Sequence, residues 1–171
     1  DGEAIGDVSG TSVSLNSDGT RVAIGAYLND GNGSDSGHTR IYEYDGTNWV
    51  QLGQDIDGEA TDDYSGFSVS LNSDGTRVAI GADQNNGNGN ASGHTRIYEY
   101  DGTDWVQLGQ DIDGEANGNG SGTSVSLNSD GTRVAIGAPS NNGVNGLASG
   151  HTRVYEYVGT DWVQLGQDID G

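Results

Sequence analysis

Apolar and polar residues alternate in short runs along this chain. In Ser12–Leu15, Val13 and Leu15 alternate with Ser12 and Ser14; in Arg21–Ala26, Val22 and Ile24 alternate with Arg21, Ala23 and Gly25. A period of two is the mark of a strand with two unlike faces. Residues 39–44 and 49–54, rich in Tyr, Trp, Val and Ile, predict two more strands. Asp18-Gly19 and Asp45-Gly46 supply the positive φ of tight hairpins, so the four strands run antiparallel. One face of this sheet is bulky and the other carries Ala, Gly and Ser. Such a sheet can lie closely against copies of itself on both sides.

The copies are present. DGEA occurs at Asp1, Asp57 and Asp113, and SVSLNSDGTRVAIGA recurs unchanged from Ser12, Ser68 and Ser124. The period of 56 residues divides the chain into blades at 1–56, 57–112 and 113–171, the third with one extra loop residue. The expected fold class is all-β: a β-propeller of four-stranded antiparallel blades, three per chain, closed by oligomerisation or belonging to a longer array. A β-solenoid is the rival, with coils usually much shorter than this unit. The final Asp170-Gly171 would open a fourth copy, so the chain reads as a segment of a longer array, mature or trimmed.

Composition sharpens this. Gly is 31 of 171 residues, Pro is 1, and no helical period or membrane-length apolar run occurs. Only 31% of residues are apolar, but stacked repeats share one continuous core, so few per unit suffice. The net charge is −20 and Arg supplies every cation, which disfavours nucleic acid and anionic lipid as partners. There is no Cys, hence no disulfide or thiol chemistry.

Because strands alternate in direction, the two short hairpins share one end of each blade. The segment after the second strand and the segment leading into the next blade share the other. The first pair is nearly invariant among the copies; the second is long, rich in Gly, Asn and Asp, and holds almost all the differences. Loops on one face of a rigid scaffold are where binding usually resides. Asp7, Asp30, Asp35, Tyr64, Asp83 and Asn119 are the expected ligand-facing residues.

Gly66-Phe67-Ser68-Val69 with Gly81-Ala82, and Gly122-Thr123-Ser124-Val125 with Gly137-Ala138-Pro139, resemble the FG-GAP repeat, the blade unit of the integrin α-subunit propeller and of many microbial surface proteins. The resemblance covers the whole chain. It implies a propeller with the first strand nearest the axis, and adhesion or protein recognition at a cell surface or after secretion. Two departures stand out. Ser9, Ser65 and Ser121 occupy the place of the family's first Phe. The family's calcium-binding DxDxDG hairpin keeps only Asp18, Asp74 and Asp130, with Asn16, Asn72 and Asn128 as weak substitutes, so these turns are expected to hold no metal.

Asp55, Asp57, Glu59, Asp62 and Asp63 place five carboxylates in nine residues, the best candidate for calcium; no other cofactor is indicated. His38, His94 and His151 precede the third strand and are expected to pack there, since equivalent positions on successive blades diverge. Arg40 and Glu43, with their copies, are expected to form ion pairs. Trp49, Trp105 and Trp162 are expected to pack between outer strands, with a multivalent sugar platform as the alternative. Asn32, Asn90 and Asn119 head glycosylation sequons. No catalytic constellation stands out, so the expected function is non-catalytic adhesion or recognition through the loop face. The alternative is a self-assembling scaffold, either a dimer of two three-blade chains or a head-to-tail fibre. A protein or glycan ligand fits either, without membrane insertion.

Overall fold

A computed structural model describes residues 2–143 and 145–171. Its strands are β1 (Ser12–Leu15), β2 (Arg21–Ala26), β3 (His38–Tyr44), β4 (Trp49–Gln51) and β5 (Ile56–Asp57) in the first unit. The second unit holds β6 (Ser68–Leu71), β7 (Arg77–Ala82), β8 (His94–Tyr100), β9 (Trp105–Gln107) and β10 (Ile112–Asp113). The third holds β11 (Ser124–Leu127), β12 (Arg133–Ala138), β13 (His151–Tyr157), β14 (Trp162–Gln164) and β15 (Ile169–Asp170). Each unit is one antiparallel sheet in the order β1-β2-β3-β4, with β5 also paired to β3. This is a propeller blade, made three times.

The outer strand departs from the expected 49–54. It ends at Gln51 and resumes at Ile56. Tyr42 faces Gln51, whereas Thr39 faces Ile56, so the four residues 52–55 span the same distance as the two residues 40–41. The surplus is absorbed by a bulge that turns at Gly53, where φ is +77°. A side chain at Gly53 would also meet Trp105 of the next blade, whose Cδ1 lies 2.8 Å from where a Cβ would sit. The bulge swings Asp55 back toward His38 at the head of β3.

Blades stack bulky face on small face. Between the first two, Ala23, Ile41 and Ile56 meet Val69, Leu71, Val78, Ile80, Tyr98 and Trp105. Between the second and third, Ala79, Ile97 and Ile112 meet Val134, Ile136, Tyr155 and Trp162. The innermost strands β1, β6 and β11 are neighbours across these joints, and Ser14 Oγ accepts the Leu71 amide at 2.9 Å. Gly25 and Gly81 have no room for a side chain: a Cβ would overlap the carbonyl oxygen of Gly66 or Gly122 in the following blade. The Gly-Ala pair is thus a joint between blades.

Arg21 reports the same joint. It pairs with Glu43 across the sheet at 2.8 Å, donates to the Gly75 carbonyl of the next blade at 3.1 Å, and lies over the Tyr100 ring. Arg133, its copy in the last blade, keeps Glu156 at 2.8 Å, but its side chain is 52% exposed against 17% for Arg21. The expected Arg40–Glu43 pairing is corrected here. Glu43 belongs to Arg21, and Arg40 reaches Glu3 at 3.3 Å, because residues three apart on a strand point to opposite faces.

Candidate functional site: an acidic rim of strapped loops

The long loop after β2 is tied to the segment that enters the following blade. Amides of Gly58, Asp62, Tyr64 and Ser65 donate to carbonyls of Gly37, Ser34, Asp35 and Ser36 at 2.8–3.2 Å. Asn32 Nδ2 adds donations to the carbonyls of Gly58 and Glu59. The next joint repeats the pattern: Gly114, Gly118, Gly120 and Ser121 donate to Gly93, Asn90, Ala91 and Ser92. Different letters thus trace one backbone. Asp35, Asp62, Tyr64 and Ala91 sit at positive φ, a region that L residues adopt only where surrounding bonds impose it.

The expected loop residues divide into two groups. Asp7, Asp63 and Asn119 occupy equivalent positions and are 4%, 1% and 4% exposed. Each accepts an amide three residues back, from Ala4, Ala60 and Ala116, and a side-chain amide from Asn29, Asn85 and Asn141. They are internal braces and cannot face a ligand, which corrects that expectation. The same burial removes Asn119 as a glycan acceptor; Asn32 and Asn90 lie on the exposed surface, although Asn32 spends its amide on the loop strap. Asp83 is also buried, and burial pushes its pKa up.

Asp30 is exposed and Asp35 half-buried, joined by a bond from the Asp35 amide to Asp30 Oδ1 at 2.8 Å. Tyr64 stands beside them with a partner that sequence reading did not single out. Tyr27 packs edge-on against both Tyr64 and Phe67, at centroid distances of 5.5 and 5.4 Å. Burial, then Asp35 and Asp62, raise the Tyr64 pKa, so the phenol stays protonated. This joint therefore carries an aromatic group ringed by carboxylates, where the next carries Asp83 and Thr123 at the positions of Tyr27 and Phe67.

The five clustered carboxylates do not form one site. Asp55 turns back to His38, with 3.5 Å between its Oδ2 and Nδ1. Glu59 reaches forward to His94 and Arg96 of the next blade, at 3.8 and 3.5 Å. Asp62 is exposed and Asp63 is the buried brace. Asp57 lies opposite His38, and burial raises its pKa. Linear density of acid misled, because β5 ends at Asp57 and the residues beyond it serve the following blade. His94 is pushed down to about 4 by burial and by Arg96, so its ring is neutral at neutral pH.

In the hairpin between β1 and β2, Asp18 Oδ1 accepts both the amide and the hydroxyl of Thr20, and Asn16 Oδ1 accepts the Arg21 amide. Trp105 and Trp162 are 8% and 7% exposed, and their Nε1 donate to Leu52 and Leu108 of the preceding blade at 2.8 and 2.7 Å. Neither offers a ring face to a sugar. Trp49, in the first described blade, is 46% exposed.

No protein-family model matches this sequence. No curated protein matches it either. Among solved structures, the chain is similar to a putative 6-phosphogluconolactonase from Bacteroides uniformis, with TM-score 0.60 and 13% identity over 94% of this chain and 40% of that one. It is also similar to the hydrazine synthase of Kuenenia stuttgartiensis, with TM-score 0.56 and 7% identity over 94% of this chain and 36% of that one. The chain thus spans well under half the length of either. At these identities the likeness is one of fold. It nevertheless corrects the expectation of a non-catalytic chain: an architecture shared with a putative lactonase gives no ground for excluding catalysis. The chain is a three-bladed stretch of β-propeller.

Proposed function

We propose that this chain is a self-associating propeller segment whose assembled ring recognises other proteins through its acidic loop rim, secreted or at a cell surface as the FG-GAP resemblance implies. One contrast carries the assembly reading. Val13 and Leu15 are 64% and 60% exposed, whereas their copies Val69 and Leu71 are 9% and 7% exposed against the preceding blade. Leu15 lines an open groove with Val22, Ile24, Tyr42 and Trp49. At the other end of the chain the small face is equally uncovered: Ile169 is 60% exposed where Ile56 and Ile112 are 5%. A second copy of the chain, or a further blade of a longer array, would cover these two faces. Two chains then make six blades through two equivalent joints, within the typical range of about 4–8 blades for a closed propeller.

The strapped loops support the recognition half. A rim whose backbone is fixed while its side chains vary is suited to display, and its negative charge favours partners with a basic surface. The Tyr27–Tyr64–Phe67 group gives one joint an apolar anchor among acids.

Light scattering after size exclusion tests assembly. The wild-type chain is expected at twice its 17.6 kDa, and Leu15→Asp at the single-chain mass with an unchanged β-sheet spectrum. Wild type running as a monomer at tens of micromolar overturns the self-association reading. A mass that climbs with concentration replaces the closed dimer by a fibre.

A further inference from the structure

Among the described residues, three side-chain groups of like build repeat: Glu3, His38 and Asp55; Glu59, His94 and Asp111; Glu115, His151 and Asp168. In each, the imidazole is buried, with 2% of its side chain exposed. Its Nδ1 faces one oxygen of the Glu at 3.8–3.9 Å and one of the Asp at 3.5–3.7 Å. These separations exceed the roughly 2.7–3.2 Å of a hydrogen bond, so a buried ring nitrogen aimed at the two carboxylates lacks a bonded partner among them. They lie close to the edges, about 3.4 Å, of a tetrahedron whose centre is about 2.1 Å from each ligand.

The remaining carboxylate oxygens are held by other groups. Glu Oε1 is engaged by Arg40, Arg96 or Arg153 at 3.3–3.7 Å. Asp Oδ1 accepts from Gln51, Gln107 or Gln164 at 2.5–2.7 Å. Each carboxylate is thereby oriented with its free oxygen toward the imidazole, the outer-shell arrangement that positions metal ligands. In the third group Asn141 Nδ2 also donates to Glu115 Oε2 at 3.2 Å, leaving that oxygen a second lone pair.

We infer that each group binds one first-row divalent cation of the zinc class, through His Nδ1 and one oxygen from each of the two carboxylates. Imidazole nitrogen among the ligands selects this class over calcium, which prefers six to eight oxygens. The Glu side chains are 43–49% exposed, so the fourth position opens to water. Each Glu belongs to the segment entering a blade, while the His and Asp belong to the blade itself. A bound ion ties the two together and makes metal loading additive to folding.

The test uses tag-free full-length chain stripped with chelator and titrated calorimetrically with Zn2+. Three equivalents are expected for wild type, two for His94→Gln, and an at least tenfold weaker site for Gln107→Ala, which touches the ligand Asp111 but not the ion. Co2+ should develop visible absorption that falls by one third in His94→Gln. Circular dichroism verifies the fold of each variant; if His94→Gln does not fold, Asp111→Asn must show the same loss of one equivalent. Absent Zn2+ binding overturns the inference. So does a stoichiometry unchanged by these substitutions, or equal uptake of Ca2+, since either marks diffuse attraction to a chain of charge −20.

Discussion

Trp105→Ala is expected to lower unfolding free energy by about 3–5 kcal/mol, the range for deleting a buried large aromatic side chain. The ring fills the joint between the first two blades and its Nε1 bond to Leu52 is lost with it, leaving that carbonyl unpaired. The chain supplies its own control. Trp49 has the same tyrosine ring at 5.4 Å within its blade, but it is 46% exposed where Trp105 is 8%. In a Leu15→Asp background, which keeps the chain single, Trp49→Ala should cost under about 1 kcal/mol in urea titration, as expected for an exposed side chain. Comparable losses at the two positions would mean that Trp stabilises the blade rather than the joint.

Gly81→Ala should be comparably severe, about 3 kcal/mol or more, because an added Cβ overlaps the Gly122 carbonyl and neither backbone can move without opening the sheet. Gly137→Ala is the counterpart. There a Cβ meets chiefly the Ser124 hydroxyl, which can rotate away. Its thermal midpoint should therefore stay within a few degrees of wild type in the single-chain background. The same methyl group would stand where a following blade must dock, so in the native background Gly137→Ala should reduce the assembly to single chains. A Gly81→Ala variant as stable as wild type would refute the close approach of the two backbones.

Strand positions were legible in the sequence because alternation leaves little choice: Val13, Leu15, Val22 and Ile24 can share only one face. The stacking followed from the contrast of that face with Ala23 and Gly25. The broken outer strand was not legible, since Trp49–Gln51 begins as a strand and only pairing to β3 exposes the surplus at 52–55. Gly53 was the available signal. The imidazole–carboxylate groups were missed for a related reason. Their members stand far apart along the chain and meet only because β5 and the entry segment both return to the head of β3. Counting acids within nine residues found Asp55 and Glu59 and assigned them to one place, whereas they serve successive blades. What was visible was their recurrence at fixed stations in every unit. Asp7, Asp63 and Asn119 teach the converse: a position that tolerates Asp or Asn needs an acceptor oxygen, whatever its charge.

The unlike faces of each blade give every joint a head and a tail. A bulky face cannot pair with another bulky face, so growth has a single sense. Adding or deleting one whole unit leaves all remaining joints as they were. A gene encoding near-identical units can lengthen or shorten by recombination in register without creating a foreign contact. Ring size in such a lineage is then fixed by the angle between neighbours, and copy number is free to follow it.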